Sequence, residues 1–466
     1  MSFVADQTGS LLGKDAVKIR TEDDSAAAQA RVTALLAKPL TADSAVQIAL
    51  LNNRALQAAY NELGISEAQM VEASLPPSPT LSLSLLAATG QIEIERQLLQ
   101  SLLSLLTLQR RQEIAEDRFS QAQSQAVEAT LRVAATARRA FYRAVAANQS
   151  VKFFEDARAS AEAISELAKK LGETGGMPKL DQAREHAFYT EVSGELAVAR
   201  LKQRMEREKL NRALGLWGKD TQYRLPDNLK LLPATPKAPG DIETVAVTGR
   251  VDLEIARMEL AILAKSFGLT QATRYIDVLN IRSISRYERK NITDVNYALV
   301  PGPTLVKTET PAKEKARFRG ADLEFQIPIY DFGEARARLA EETYLQAVNR
   351  LIDKAVNVRA DAREAYQAYR GAYDIAKYYD KEILPLRQII SDQTLLNYNG
   401  MLSDLFGLLT DARARITANV QSIEAKRDFW LADVELQAAL IGGGASGEDK
   451  SGGLSMAPAS GNRSGG

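Results

Sequence analysis

Hydrophobic and polar positions along the chain follow two periods. Over most of its length Ala, Leu, Glu, Arg and Gln recur at helical spacing, as in Leu131, Ala134, Phe141 and Val145, and later Leu345, Val348, Ile352 and Val356. Such stripes predict coiled-coil-like seams between neighbouring helices. At a few places the period drops to two. Leu81, Leu83 and Leu85 alternate with Ser82 and Ser84, and Ile92 and Ile94 with Glu93 and Glu95. Later, "YIDVLNIRSISRY" has the same texture, and Leu323, Phe325, Ile327 and Ile329 alternate around Glu324 and Gln326. These read as strands, because successive side chains of a strand point to opposite faces. The last of them runs with almost no loop into a helical run after "DFG", carrying Ala335, Leu339, Tyr344 and Leu345.

Prolines and glycines divide the pattern into a repeated unit. The spacing predicts helices over about 41–74, 103–171 and 181–214, then about 241–273, 333–396 and a final one to Ile441. Equivalent stretches can be matched between the halves: Leu56 to Leu253 is 253 − 56 = 197, Phe119 to Tyr344 is 344 − 119 = 225, and Gly176 to Gly400 is 400 − 176 = 224, the later two offsets agreeing. An internal duplication follows. The resulting organisation is an N-terminal arm (1–40) with one helical patch, a first repeat (41–215) with strands about 78–99 and a helical tip about 172–181, and a linker (216–240). The second repeat (241–441) has strands about 275–286 and 319–330 and a tip about 397–404, and a Gly/Ser-rich tail (442–466) reads as disordered. The jump of 225 − 197 = 28 in offset marks an insertion between the second pair of strands, expected as an extended loop over 287–320. Pro385 is expected to kink or interrupt the second long helix.

The fold class is therefore mainly α with a small β part: a duplicated helix, hairpin, long helix, short helix unit. At about 1.5 Å per residue each long helix would reach roughly 100 Å, too long for a globule, and two short helices end to end would match one long partner. Four strands with an apolar side leave two open edges, and hydrocarbon does not tolerate unpaired backbone groups. One chain cannot close such a sheet; two copies would pool 8 strands and three would pool 12, both permitted barrel sizes.

Composition narrows the chemistry. Lys and Arg number 59 and Asp and Glu 59, so no polyanion such as nucleic acid is implied as a partner. Cysteine is absent and His186 is the single histidine, which removes disulfides and thiolate or imidazole metal clusters. No Gly-rich phosphate loop and no nucleophile, histidine and acid spacing stands out, so the reading is not an enzyme and calls for no cofactor. The opening "MSFVADQTGS" shows no basic region followed by an apolar one, the mark of an export signal, and no run of about 18 apolar residues predicts a spanning helix. The methionines at the two tips, Met177 and Met401, fit gap-filling beside glycine better than soft-metal binding, and tyrosines 366, 369, 373, 378 and 379 fit a packed seam. Gly176 and Gly400 fit a tight reversal between antiparallel helices.

The segments "LTADSAVQIALLNNRALQAAYNELGISEAQ", "IPIYDFGEARARLAEETY" and "YNGMLSDLFGLLTDARARI", in that order and duplicated, resemble the TolC-like outer membrane factors, the exit ducts of tripartite efflux and type I secretion systems. The "ALLNN" and "YNGML" segments look most like members that accompany cation or heavy-metal exporters. The resemblance spans about 40–441 and implies a homotrimer in the outer membrane, with a 12-stranded barrel in lipid and a periplasmic helical part. It also implies docking to a membrane-fusion adaptor and an inner-membrane pump of RND or ABC type, with adaptor contacts at the tip residues Gly176, Met177, Gly400 and Met401. Relatives often carry a ring of aspartates after the second tip. Here the matching positions are Phe406 and Leu409, so the candidate aperture residues are Asp181, Asp404, Leu405 and Phe406. Asp181 also suits the first turn of a helix without any gating role. The rival reading is a soluble or membrane-associated coiled-coil scaffold in which the alternating segments are mere connectors.

Overall fold

A computed structural model describes residues 1–238, 240–300, 304–400, 402 and 405–444. The tail beyond 444, Met401 and Asp404 lie outside the described residues, as does the side chain of Leu405. The first half runs α1 (Ser2–Leu12), α2 (Glu22–Leu36), α3 (Ala42–Asn52), α4 (Arg54–Ser74), β1 (Thr80–Ala88), β2 (Gln91–Ser101), α5 (Leu102–Leu106), α6 (Leu108–Glu173) and α7 (Lys179–Leu214). The second half runs α8 (Ile242–Gly249), α9 (Val251–Ala272), β3 (Val278–Val300), β4 (Thr304–Gln326), α10 (Glu334–Tyr378), α11 (Leu384–Asn399) and α12 (Leu405–Ile441). The chain splits into two compact units that cut across both repeats: Met1–Leu63, Ala122–Ile255 and Ile352–Gly466 form one, Gly64–Gln121 and Ala256–Leu351 the other.

In the first unit the arm is more ordered than its sequence suggests. α1 closes on Gly13 in the left-handed region (φ 62°), and its Val4 and Thr8 are buried. α2 opens with a capping box in which Thr21 and Asp24 satisfy each other's backbone N–H groups. Between them, Gln47 and Gln57 hold the extended stretch 15–19: Asp15 N and Ile19 N donate to the glutamine carbonyls, and the glutamine amides donate back to Asp15 O and Val17 O.

Both repeats break a helix at the same place. The expected helix over 41–74 stops after Asn52, and the expected helix over 241–273 stops after Gly249. The breaks at Asn53 and Arg250 are 250 − 53 = 197 residues apart. Asn53 accepts from Ala55 N and Leu56 N, capping α4, and donates to Ala213 O at the end of α7. α7 ends against this junction so closely that a Cβ on Gly215 would lie 2.9 Å from Asn52 O, and Gly215 is left-handed (φ 70°). α12 ends in the same way against the second break, where a Cβ on Gly249 would meet Leu440 O at 3.4 Å. There the polar work falls to Arg250, which grips both oxygens of Asp252 (2.9 and 3.0 Å) and reaches Asp361 at 3.4 Å, while Lys354 approaches Asp252 at 3.5 Å.

The seam expected on α6 is buried, with Leu131, Ala134, Phe141 and Val145 all in the core. On α10 the structure uses a different stripe. Val358, Ala362, Tyr369, Tyr373 and Ala376 are buried, whereas Leu345, Ile352 and Val356 are exposed. The tyrosines also strap the interrepeat linker: Tyr373 Oη donates to Pro233 O and Ala234 O, Lys237 N donates to Tyr369 Oη, and Trp430 Nε1 donates to Lys230 O. Helix α10 ends in a π-helical turn at Tyr379–Ile383, where Leu384 N bonds Tyr379 O. Pro385 follows; it has no N–H for an α-helical bond, and the widened turn absorbs that loss.

The second unit holds the sheet, antiparallel throughout, in the order β1-β2-β3-β4. The insertion expected as a loop over 287–320 instead lengthens the second hairpin: β3 and β4 have 23 residues each against 9 and 11 in β1 and β2. The stretch "NITDVNY" is rich in β-branched and aromatic residues, and Pro311 is tolerated because β4 is an edge. The strand also ends earlier than its alternation implies. Pairing stops at Gln326, and residues 327–333 make a turn before α10. There Asp331 accepts from Gly333 N and Ala335 N, and a Cβ on Gly333 (φ 70°) would lie 2.3 Å from Arg274 O.

Burial pushes the Asp252 carboxyl up, but Arg250 and Lys354 bring it on balance below its ordinary value. The stability it adds is thus present above the ordinary carboxylate range and is lost as pH falls through the lowered value. Arg250→Ala leaves that carboxylate buried without its main partner and should cost about 3 kcal/mol. A depressed thermal midpoint is expected; an unchanged one would show that the second helix break does not need the pair.

Candidate functional site

The register of the sheet sorts its side chains into two unlike faces. Pairing aligns Leu81 with Leu98 and Ser283, Leu85 with Ile94 and Tyr287, and Ile281 with Leu323. This face continues through Leu83, Ala87, Ile92, Leu279 and Phe325, and Leu81, Leu83 and Leu85 on it are about 70% exposed (74%, 71% and 68%). The opposite face collects Glu93, Glu95, Arg282, Arg286, Glu288, Lys290, Glu314, Asp322 and Glu324. All three cations there are paired across or along strands: Arg286 with Glu93 (2.9 Å) and Glu95 (3.4 Å), Arg282 with Glu324 (3.3 Å), Lys290 with Glu288 (2.6 Å). With six acids and three bases the polar face carries 3 − 6 = −3 up to the level of Lys290. The edges of β1 and β4 have no partner strand among the described residues.

An apolar, exposed face beside an ion-paired face is the reverse of a soluble sheet, whose apolar side is covered. Among the described residues no helix is long and apolar enough to cross a membrane. Nor does any group of three or more His, Cys, Asp or Glu among them have the arrangement of a metal site.

The tip residues lie in the first unit. After α6 the chain reverses through Gly175, which is left-handed (φ 76°), with Gly176 N donating to Leu171 O at 2.8 Å. The reversal thus needs glycine at 175 rather than at 176. Met177 O accepts from Gln182 Nε2 at 2.9 Å, and the same Gln182 lies against Gly172. In the second tip Gly400 has an ordinary φ of −82°, and Leu402 N donates to Asn397 O. Asp181 sits in the first turn of α7 and pairs with Arg184 at 3.3 Å. The Arg184 guanidinium in turn stands 6.0 Å from the centroid of Phe406, so Asp181 and Phe406, from different repeats, meet through it.

Helices α7 and α12 run side by side from here in constant register: Glu191 with Arg413 (413 − 191 = 222) at 2.7 Å and Lys202 with Glu424 (424 − 202 = 222) at 3.2 Å. Between them Ala161, Phe188, Val192 and Leu409 form a core cluster with Tyr189 and Tyr398 at its margin.

One residue in this region has no marked place among the sequence motifs. Glu185 is 1% exposed, and neither carboxylate oxygen has a hydrogen-bond partner among the described residues. Burial, and then the neighbouring Asp181 charge, push its carboxyl above the ordinary range. The signal was present in the spacing: Glu185, Phe188, Val192, Leu196 and Ala199 form one helical stripe, and only the first is charged.

No protein-family profile and no curated protein matches the sequence. Solved structures do. The chain is similar to CusC, described as forming a transmembrane channel, with a TM-score of 0.69 and 15% identity over 87% of this chain and 92% of that one. It is similar to the Campylobacter jejuni CmeC outer membrane channel (TM-score 0.65, 16% identity, 88% of this chain and 87% of that one). It is also similar to the outer membrane protein VceC of Vibrio cholerae (TM-score 0.66, 14% identity, 89% of this chain and 97% of that one). The chain therefore has the TolC-like fold, mainly helical with a small antiparallel sheet.

Proposed function

We propose that three copies of this chain close their sheets into one outer-membrane barrel and act as the exit duct of an efflux or secretion system. The observation that carries the reading is the sheet itself: an exposed apolar face, an ion-paired polar face, and two unpaired edges on one four-stranded piece. In lipid those edges must be paired, and three copies of four strands supply 3 × 4 = 12, an even number that a spanning barrel allows. The apolar face turns to lipid and the charged face to the lumen. The exposed stripe Leu345, Ile352 and Val356 on α10 then serves contact between copies rather than within one. A coiled-coil scaffold has no use for a sheet whose apolar side is bare.

Conduction is passive, and the chain catalyses nothing. An adaptor at the tips near Gly176, Met177, Gly400 and Met401 links the duct to an inner-membrane pump that supplies the energy. The constriction is formed by the region of Asp181, Asp404, Leu405 and Phe406, and opening is a shift between two packings of the tips, which the adaptor biases. Glu185 bears on that equilibrium. A buried carboxyl whose folded value is raised favours the packed tip below the ordinary glutamate range, and that contribution is lost as pH rises through the raised value.

Two outcomes test these statements. Reconstituted in a planar bilayer, the protein should conduct as a trimer with a preference for cations, because each chain brings an excess of three acids to the lumen face (6 − 3 = 3). Replacing Glu93, Glu95 and Glu288 by glutamine should reduce that preference; a monomer without conductance would sink the duct reading. Glu185→Gln should raise the amide-exchange protection of residues 182–192 at neutral pH and flatten its change between acid and neutral pH. An identical pH slope in the variant would remove Glu185 from the account of the tip.

A further inference from the structure

The two faces of the sheet differ in how their cations are treated as well as in polarity. On the polar face Arg282, Arg286 and Lys290 are all ion-paired. On the apolar face the register aligns Arg289 with Lys315, Tyr287 with Arg317, Ser285 with Arg319 and Asn291 with Lys313, and places Arg96 beside Ser285. From Leu279 to Asn291, and across the strands at those levels, this face carries no acid. None of these cations forms an ion pair among the described residues; Arg317 instead stands 5.9 Å from the Tyr287 ring centroid. Lys313, Lys315, Arg317 and Arg319 are all exposed.

Their height along the sheet is defined by two independent features. Asn291 N donates to Gly90 O, so the Lys313 and Lys315 level is where the first hairpin turns and β1 and β2 end. Counting from the other side, Arg317 is ten residues beyond Ile327 (327 − 317 = 10), next to an exposed aromatic margin of Tyr275, Tyr330 and Phe332. A strand of about 9–11 residues, tilted about 45°, crosses the hydrocarbon. Aromatic residues mark one interface and the unpaired cations lie at the depth of the other. Arg319, one level lower, has a stem long enough to carry its charge up to that interface.

We propose that Lys313, Lys315 and Arg317, flanked by Arg289 and Arg319, bind the phosphate groups of lipid headgroups in the leaflet farther from the helices. The site rests on the barrel reading, which turns this face outward. Charge complementarity selects the occupant: same-face neighbours on a strand are about 7 Å apart, so the column meets a headgroup carrying more than one phosphate at several points. Between Leu279 and Asn291 no acid on the face competes for it; the next one, Glu309, lies two same-face residue pairs beyond Lys313 and is paired with Lys307.

The test compares the full chain with K313Q/K315Q/R317Q, each purified in detergent and mixed with phosphatidylcholine vesicles with or without diphosphorylated lipid A. Retained lipid is measured by native mass spectrometry, alongside the trimer band and bilayer conductance. The unaltered protein should retain lipid A selectively over phosphatidylcholine. Retention should fall by roughly fivefold for each cation removed, with trimer and conductance unchanged. Equal retention by both proteins, with conductance intact, would overturn the lipid site alone. Full displacement of lipid A by millimolar inorganic phosphate would also overturn it, because the column would then be a general anion site. An unaltered chain that neither trimerises nor conducts would take the barrel reading and the lipid site down together.

Discussion

Everything in the second unit depends on one constraint, the need of backbone N–H and C=O groups on a strand edge for a partner. β1 and β4 expose such edges beside a face of leucine, isoleucine and phenylalanine side chains that nothing among the described residues covers. In water this combination is an aggregation hazard, and in hydrocarbon an open edge is excluded. On the duct reading proposed above, the sheet is one fragment of a closed one. Its unequal strands add a second consequence for that reading: β1 has 9 residues and β4 has 23, so in a closed barrel a second copy's β1 would pair with only part of β4 and the rest of the second hairpin would stand as a two-stranded ribbon.

Charge follows the same division. The acids of the polar face are partly neutralised by arginines directly across from them or diagonal to them on the next strand, which keeps the face hydrophilic without leaving it strongly repulsive. On the apolar face Arg289, Lys313, Lys315, Arg317 and Arg319 have no such partners among the described residues, and they cluster over neighbouring levels near the turn of the first hairpin rather than along the whole height of the sheet. Both faces are read from a register in which a slip of one residue would exchange them.

In the first unit the duplication is expressed in geometry as well as in sequence. Each repeat breaks a helix, and each break receives the end of a later helix, but the two junctions use different chemistry: an asparagine cap at Asn53 and an ion-paired cluster at Arg250. The parallel register of α7 and α12 brings Asp181 and Phe406 together around Arg184, and buries Glu185 on the same helix.

Periodicity by itself determined the alternation of long helices with short hairpins, the duplication and the apolar stripe of α6, because these depend on local spacing that packing only confirms. It also showed that Pro385 cannot sit in an undisturbed helix, since the missing N–H is a property of the residue. Other features needed the tertiary structure. Whether Val356 or Val358 faces the core of α10 turns on which neighbour the helix meets, and both stripes are apolar in sequence. Residues 287–300 and 304–320 pair as strands because each finds a partner of matching length beside it, which their prolines and charges concealed. The sorting of Arg286 and Arg317 onto opposite faces, one paired and one bare, follows from register, which is a relation between strands and is written in no single segment.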